Sequence, residues 1–320
     1  MASSTPDAAV VVSTYQRSEL LARLFAALEA QTYPRERFEV VIIDNASADR
    51  TEHVLTGLAA RSPLNVRPLR MPHNRGPAPA RNLGWRSSAA PLIAFTDDDC
   101  VPEPGWLQAG ADMLHTDGRV GIVQGCTLRP AEADTYAYTD WTIAREIIRP
   151  TPWFEGCNLF LRREALDAAG GFDESIGWFG EETALGWAVL AAGWDRAFAD
   201  DAVVRHDLTE RGLRWHLRNR FLEGNLVGIA RRYPQLRREG FWRPWAIHRV
   251  NAMFALGVAG TVAARWRRWA LLAWLPYWRE VWLPAGLTRR LKYVPQRVAV
   301  DAAGCAGMVR GSVRHRLVVL

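Results

Sequence analysis

The stretch FTDDDCVPEPGW, residues 95–106, sets three aspartates in a row at the end of an apolar run. Phe95 and the residues before it read as a buried strand, so the carboxylates of Asp97, Asp98 and Asp99 fall at its carboxyl end. Three negative charges on consecutive residues repel one another, and burying them without a positive partner is costly. The stretch therefore calls for a cation. Oxygen ligands alone suit a hard divalent ion, Mg²⁺ or Mn²⁺.

Upstream, strand and helix patterns alternate. AAVVVST (8–14), FEVVIIDNAS (38–47), NVRPLRMP (65–72) and PLIAFTDDD (91–99) read as strands. SELLARLFAALEAQ (18–31), ADRTEHVLTGLAA (48–60) and APARNLGWRSSA (78–89) read as helices between them. Such alternation predicts an α/β fold, a mixed and mostly parallel sheet flanked by helices. Downstream, 104–114 reads as helix and 119–128 as strand, and 131–150 is mixed. Residues 153–174 read as strand, helix and a Gly-Gly stop, 181–194 as helix with acid at its start, and 196–207 as extended. Residues 211–234 read as one long basic amphipathic helix.

The chain has 320 residues, enough for one large domain or two small ones. Its 49% apolar and 23% charged content is that of a soluble globular protein. The formal charge of +6 is unevenly spread. Residues 241–320 hold thirteen Arg or Lys against two acidic residues, +11, which leaves −5 for residues 1–240. Lys292 is the single lysine. We place a boundary near 235–245, with an α/β domain over 1–240 and an Arg- and Trp-rich helical region over 241–320. Cys100, Cys126, Cys157 and Cys305 form no C-x-x-C pair, which points to a reduced, cytoplasmic setting. The N-terminus lacks the pattern of a signal peptide, and no run of 18 apolar residues predicts a membrane span.

In open α/β sheets, ligands bind beyond the carboxyl ends of the strands. Thr14-Tyr15-Gln16, Asp44-Asn45 and Asp97-Asp98-Asp99 all fall there. Polar residues also end strands in sheets that bind nothing. Neither G-x-G-x-x-G nor G-x-x-x-x-G-K-[ST] occurs, so dinucleotide and P-loop sites have no fingerprint. A metal at such an edge typically neutralises phosphate oxygens, and a nucleoside diphosphate carrying a further group is the simple candidate.

With these motifs placed, the sequence resembles an inverting family-2 glycosyltransferase of GT-A fold, a Rossmann-like nucleotide-diphospho-sugar transferase. The resemblance runs through VVVSTYQR, DNASADRT, NRGPAPARNLGW, FTDDDCVPEPGWL, GCNLFLRREALDAAGGFDE and GEETALGWAVLAAGW to VVRHD, roughly residues 8–207. It implies that Thr14, Tyr15 and Asp44 contact base or ribose and that Arg81 lies near the nucleotide. It maps a D-x-D motif onto Asp97 and Asp99, with Asp97 toward ribose and metal, Asp99 on the metal, and Asp98 on the donor side. His206 becomes a third metal or diphosphate ligand. The family's Glu-Asp pair is here Glu181-Glu182, so Glu182 takes the place of the catalytic base and Glu181 orients the acceptor. Two glutamates opening a helix also complement its dipole without any catalytic part. Gly156, Cys157 and Asn158 match a G-x-N segment beside the acceptor, and Trp178 and Phe179 could stack on a sugar.

What the resemblance implies is a transfer from a nucleotide-diphosphate sugar (UDP, GDP or TDP) to an acceptor hydroxyl, with Mn²⁺ or Mg²⁺ as cofactor. The acceptor would be a glycan, a lipid-linked sugar or a small molecule, in polysaccharide, glycolipid or envelope glycan synthesis. No Q-x-x-R-W motif appears, so single transfers are expected. In the tail, Trp266, Trp269, Trp274, Trp278 and Trp282 stand among arginines, a pattern that suits peripheral contact with the inner face of a membrane. A packed helical subdomain or homodimer contact is the alternative there, and nucleic acid is not expected. Two rivals remain at the level of sequence. One is a catalytically degenerate nucleotide-sugar-binding scaffold. The other is a haloacid-dehalogenase-like phosphatase, since Asp97-x-Asp99-x-Val101 fits its D-x-D-x-[TV] pattern.

Overall fold

A computed structural model describes residues 5–135, 141–282 and 287–320. Two compact units emerge, one of residues 1–137 and 143–209, the other of 138–142 and 210–320. Residues 210–240 thus pack with the tail, although the composition shifts only near 240.

The first unit is built in chain order from β1 (Ala8–Thr14), α1 (Ser18–Glu29), β2 (Phe38–Asp44), α2 (Thr51–Arg61), β3 (Asn65–Arg70), α3 (Pro77–Ser87) and β4 (Leu92–Asp97). It continues with β5 (Cys100–Pro102), α4 (Trp106–Thr116) and β6 (Val120–Leu128), then β8 (Asn158–Arg162), α5 (Arg163–Ala169), α6 (Glu181–Ala191) and β9 (Asp195–His206), while the two-residue strands β7 (Thr142–Ile143) and β10 (Thr209–Glu210) fall at the sequence boundaries of the units. Eight strands form one sheet in the order β3-β2-β1-β4-β8-β6-β9-β5, and β7 and β10 pair separately. Strands β3, β2, β1 and β4 run parallel, β8 enters antiparallel, and β6 and β9 are parallel to each other. The sheet is therefore mixed and mostly parallel, flanked by helices. Strands β1 and β2 are Val- and Ile-rich on both faces, and every residue of β2 is buried. Edge strand β3 is largely exposed and tolerates Pro68.

Register delivers the polar groups. Thr14 lies opposite Asp44 and Ser13 opposite Asp97, which lines up the ends of three strands. On the far side Cys100 lies opposite His206, so β5 brings the aspartate just before it beside the end of β9. Helix α3 sits on this edge because Gly84 lets it approach the sheet. A Cβ there would come within 2.4 Å of Val11 and 2.6 Å of Ile43. Helix α6 follows Gly180, whose φ of 92° suits glycine best and turns the chain so that Glu181 and Glu182 open the helix.

The second unit is helical: α7 (Leu213–Leu222), α8 (Asn225–Arg232), α9 (Gln235–Glu239), α10 (Arg249–Ala263), α11 (Leu275–Trp282) and α12 (Leu287–His315). The single helix expected over 211–234 is broken at Gly224. A Cβ there would lie 2.1 Å from the carbonyl oxygen of Gly307 on α12, and one on Gly307 would lie 2.2 Å from that of Phe221. The break lets α12 cross in backbone contact. Pro276 lies in the first turn of α11, where a missing N–H costs nothing. The side chain of Trp282 lies outside the described residues. Among the described residues, no helix is long and apolar enough to cross a membrane.

Gly84→Ala should lower stability by about 1–3 kcal/mol through overpacking of Val11 and Ile43. Denaturant melts of the two chains at equal slope would measure it.

Candidate active site

The most constrained group at the strand ends is Arg81, buried one turn before Gly84 on α3. Its Nη2 donates to Asp97 Oδ1 at 2.9 Å, and its Nη1 donates to Glu182 Oε1 at 3.1 Å and Glu181 Oε1 at 3.4 Å. One guanidinium thus joins the end of β4 to the start of α6. Gly156 makes room for this meeting, since a Cβ there would stand 2.7 Å from Glu182 Cγ and 3.0 Å from Arg81 Nη2.

The two glutamates differ sharply. The Glu181 side chain is 3% exposed and that of Glu182 is 24% exposed, so only Glu182 reaches the opening. Burial and the neighbouring Glu182 charge push the Glu181 carboxyl well above the ordinary glutamate range, against the pull of Arg81. Burial acts on Asp97 the same way, but Arg81 overrides it and holds that carboxyl low. Arg145 adds a second positive charge near Cys157, Glu182, Asp97 and Glu155. Sequence reasoning missed it, because it lies in the irregular 131–150 stretch.

Asp98 and Asp99 face a different cation. Arg17 Nη1, just after β1, lies 2.6 Å from Asp98 Oδ1 and 2.6 Å from Asp99 Oδ2. Burial pushes Asp98 up to about 6, with Arg17 pulling it back. Arg17 sits inside the VVVSTYQR stretch, yet only the fold reveals its partners. Asp99 Oδ1 is also 3.5 Å from His206 Nε2. The other ring nitrogen, Nδ1, is 2.8 Å from the Asp207 carbonyl, which can only accept. Nδ1 must therefore carry a hydrogen, and Nε2 of a neutral ring turns a lone pair toward a carboxylate. Two acceptors facing each other fit a shared cation, and an outward Nδ1–H on a carbonyl is the usual support of a ligating histidine. Asp99, Cys100 and His206 present ligand atoms within 4.8 Å of one another.

Thr14 and Asp44 are buried at the ends of β1 and β2, and Tyr15 is exposed beside them. Arg70 pairs with Asp44 and also with Glu52 at 2.8 Å. Gln16 and Ala46 adopt φ of 53° and 60°, a conformation uncommon outside glycine. Their loops are tied by Gln16 N–H to Ser47 Oγ at 2.8 Å and Asn45 N–H to the Thr14 carbonyl at 2.9 Å. Strained backbone held by such ties is common at ligand sites. Among the described residues, the buried atoms at this edge without a hydrogen-bond partner include Asn45 Oδ1, Arg81 Nε and Glu181 Oε2.

Asn158 does not belong to this group. It is fully buried, with Nδ2 donating to the carbonyls of Cys126 at 2.9 Å and Ala202 at 2.8 Å, and Oδ1 accepting from Trp106 Nε1 at 2.9 Å. Its amide is spent on the sheet, which corrects its placement beside an acceptor. Trp178 is exposed and stands beside Gly76 at the start of α3, while Phe179 is half-buried.

The chain is similar to known glycosyltransferases in sequence and in fold. The sequence model described as glycosyl transferase family 2 matches residues 9–172, and that of glycosyl transferase family group 2 matches residues 92–289. Glycosyltransferase AglE of Haloferax volcanii is 28% identical over 64% of this chain and 68% of its own. Validoxylamine A glucosyltransferase of Streptomyces hygroscopicus subsp. jinggangensis is 27% identical over 84% and 69%. Among solved structures, mannosyltransferase PcManGT from Pyrobaculum calidifontis, in complex with GDP-Man and Mn²⁺, superposes with a TM-score of 0.63 at 22% identity, covering 96% of this chain and 87% of its own. S. aureus TarS 1-349 in complex with UDP gives 0.55 at 14%, covering 97% and 91%. These two likenesses establish the GT-A fold.

Because the Glu181 carboxyl is raised in the folded state, its contribution to stability is complete below the unfolded glutamate range and is lost as pH rises through the folded value. Thermal melts of the wild type and Glu181→Gln from about pH 5 to 9 should diverge, the wild type losing ground as pH rises by up to about 1.4 kcal/mol per pH unit. Parallel curves would refute the raised carboxyl. Arg81→Ala should cost about 3–5 kcal/mol, since it strands three carboxylates, and chemical denaturation would measure the loss.

Proposed function

The chain belongs to glycosyl transferase family 2, and from that membership we propose that it moves a sugar from a nucleoside-diphosphate sugar to an acceptor hydroxyl, inverting the anomeric carbon. The observation that carries the reading is the Arg81 junction, which sets a half-open glutamate, Glu182, beside the acidic end of β4. A phosphatase does not need that glutamate, and family membership sets the phosphatase reading aside.

Thr14, Tyr15 and Asp44 receive the nucleoside, with Asp98 on the donor side. Asp97, Asp99 and His206 are the residues to hold Mn²⁺ or Mg²⁺, a fit supported by His206 Nε2 standing 3.5 Å from Asp99 Oδ1 while Nδ1 is held on the Asp207 carbonyl. Such an ion, when bound, offsets negative charge on the diphosphate leaving group. Glu182 is the general base that takes the acceptor proton. Arg81 fixes the direction of Glu182 through its hydrogen bond to Oε1. Glu181, raised and buried, adds little negative charge and serves as a positioning residue. Gly156 keeps the floor under Glu182 clear, and Trp178 and Phe179 flank the acceptor side. The GDP-Man and UDP complexes of the fold neighbours support a nucleotide at this edge, with UDP, GDP or TDP as the base choices. The acceptor is a glycan, a lipid-linked sugar or a small molecule, in polysaccharide, glycolipid or envelope glycan synthesis. Residues 1–240 form the catalytic part of this reading, and 241–320 an accessory helical region.

Thermal-shift titration with UDP, GDP and TDP, each with and without Mn²⁺, tests the donor site. One diphosphate should stabilise the protein in a metal-dependent way, and Asp99→Ala should abolish that dependence. Absence of any diphosphate binding would sink the reading. Glu182→Gln should retain donor binding and lose roughly 10²–10⁴-fold in turnover of the sugar nucleotide. Undiminished turnover would move the base elsewhere, and a wild type that binds but never turns over would favour the scaffold.

A further inference from the structure

The Trp-rich stretch of the second unit divides into two faces. The segment after α10 folds back as a 3-10 turn, Arg268–Trp274, against α10 itself. The approach depends on Gly257 and Gly260, where a Cβ would come within 2.4 Å of the Trp274 ring and 2.4 Å of the Ala270 carbonyl. Trp274 turns inward, donating Nε1–H to Thr261 Oγ1 at 2.8 Å and packing edge-on against Phe254 and Tyr277. The outer face is the reverse. Trp266 and Trp269 are 71% and 70% exposed, and Leu271, Leu272 and Leu275 are 50–60% exposed. That is a contiguous run of large apolar groups in water, a cost that a soluble surface normally avoids.

Charge indicates what covers it. No acidic residue occurs between Glu239 and Glu280, while Arg265, Arg267 and Arg268 stand directly in the turn. Arg265 lies over the Trp266 ring, 4.6 Å from its centroid. A protein surface matching this face would need both a wide apolar patch and a dense acidic rim. An anionic lipid surface supplies both at once: acyl chains for the leucines, the interfacial zone for the indoles, and phosphate groups for the arginines.

We propose that the turn around Trp266–Leu275 is a membrane-interface element that inserts Trp266 and Trp269 at the headgroup level of an anionic bilayer, held there by Arg265, Arg267 and Arg268. It specifies the residues of the peripheral contact expected from composition. It does not depend on the identity of the donor or on turnover, and it favours a lipid-linked acceptor within the proposed function.

The test is co-sedimentation of the full chain with vesicles of phosphatidylglycerol and phosphatidylcholine in equal parts, and with phosphatidylcholine alone. The wild type should bind the anionic vesicles at least tenfold more tightly, and raising salt from about 50 to 500 mM should weaken that binding. Trp266→Ala/Trp269→Ala should lose at least tenfold, with unchanged melting temperature because both rings are exposed. Arg267→Gln/Arg268→Gln should lose the preference for anionic lipid. Wild-type binding indifferent to lipid charge and salt, or a tryptophan pair variant that binds as before, would overturn the proposal. So would a concentration-dependent dimer, abolished in that variant and formed without vesicles, which assigns the face to a second copy. A nucleotide titration on the same preparations separates this outcome from failure at the donor site.

Discussion

The strand-end site depends on one guanidinium that cannot give up its charge. Arg81 lies buried among Asp97, Glu181 and Glu182, three carboxylates that would repel if left to themselves. Lysine would not do the same work, because its point charge lacks the planar fork that reaches two chain segments at once. The segments lie 16 and about 100 positions away, so the contact closes the sheet edge rather than decorating it. Other features follow from seating that group. Gly84 brings the helix close enough, Gly156 clears the space below, and Gly180 turns α6 so that its first residues point inward.

A second cation completes the division of the acidic edge. Arg17 takes Asp98 and Asp99, and Arg81 takes Asp97 with the two glutamates. The three adjacent aspartates are thus answered first by protein: Arg17 from the loop after β1 and Arg81 from α3 share the charge. The balance is incomplete, however. Among the described residues, Arg81 Nε and Glu181 Oε2 are buried without hydrogen-bond partners. Native interiors rarely leave such atoms unsatisfied, and those that remain gather where a ligand brings the missing partner.

Periodicity and strand-end polarity made the sheet legible, because a buried parallel strand must be apolar on both faces and polar at its end. They brought Thr14, Asp44 and Asp97 to one edge before any coordinates. They did not reach pairings that only tertiary structure makes. The contact of Arg17 with Asp98 spans 81 positions, and Arg145 comes from a stretch without a period. Asn158 misled for the opposite reason. A conspicuous polar residue in a motif reads as functional, yet its three hydrogen bonds are all spent tying β8 to its neighbours. Helix continuity past Gly224 misled as well, because amphipathic spacing carries no information about a backbone crossing at Gly307. The tail shows the limit most directly. Trp269 and Trp274 are equivalent in composition, but Gly257 lets the Trp274 ring pack half-buried against α10 while Trp269 stays in water.

The glutamate at position 182 appears in the sequence as a departure, one methylene longer than the aspartate that the family resemblance leads one to expect. In the fold, that methylene has a place. Glu182 Cγ lies directly over Gly156, where even a single Cβ would approach to 2.7 Å. The carboxylate is pinned by Arg81 through Oε1, which removes the freedom that an extra torsion would otherwise introduce. Length and restraint therefore compensate. The longer side chain needs the bare floor at Gly156 to lie down and the guanidinium to hold it still. A glutamate so held directs its remaining oxygen as closely as a shorter side chain could. Glu182, Gly156 and Arg81 are then a matched set, and that restraint is what the base proposed at Glu182 would require.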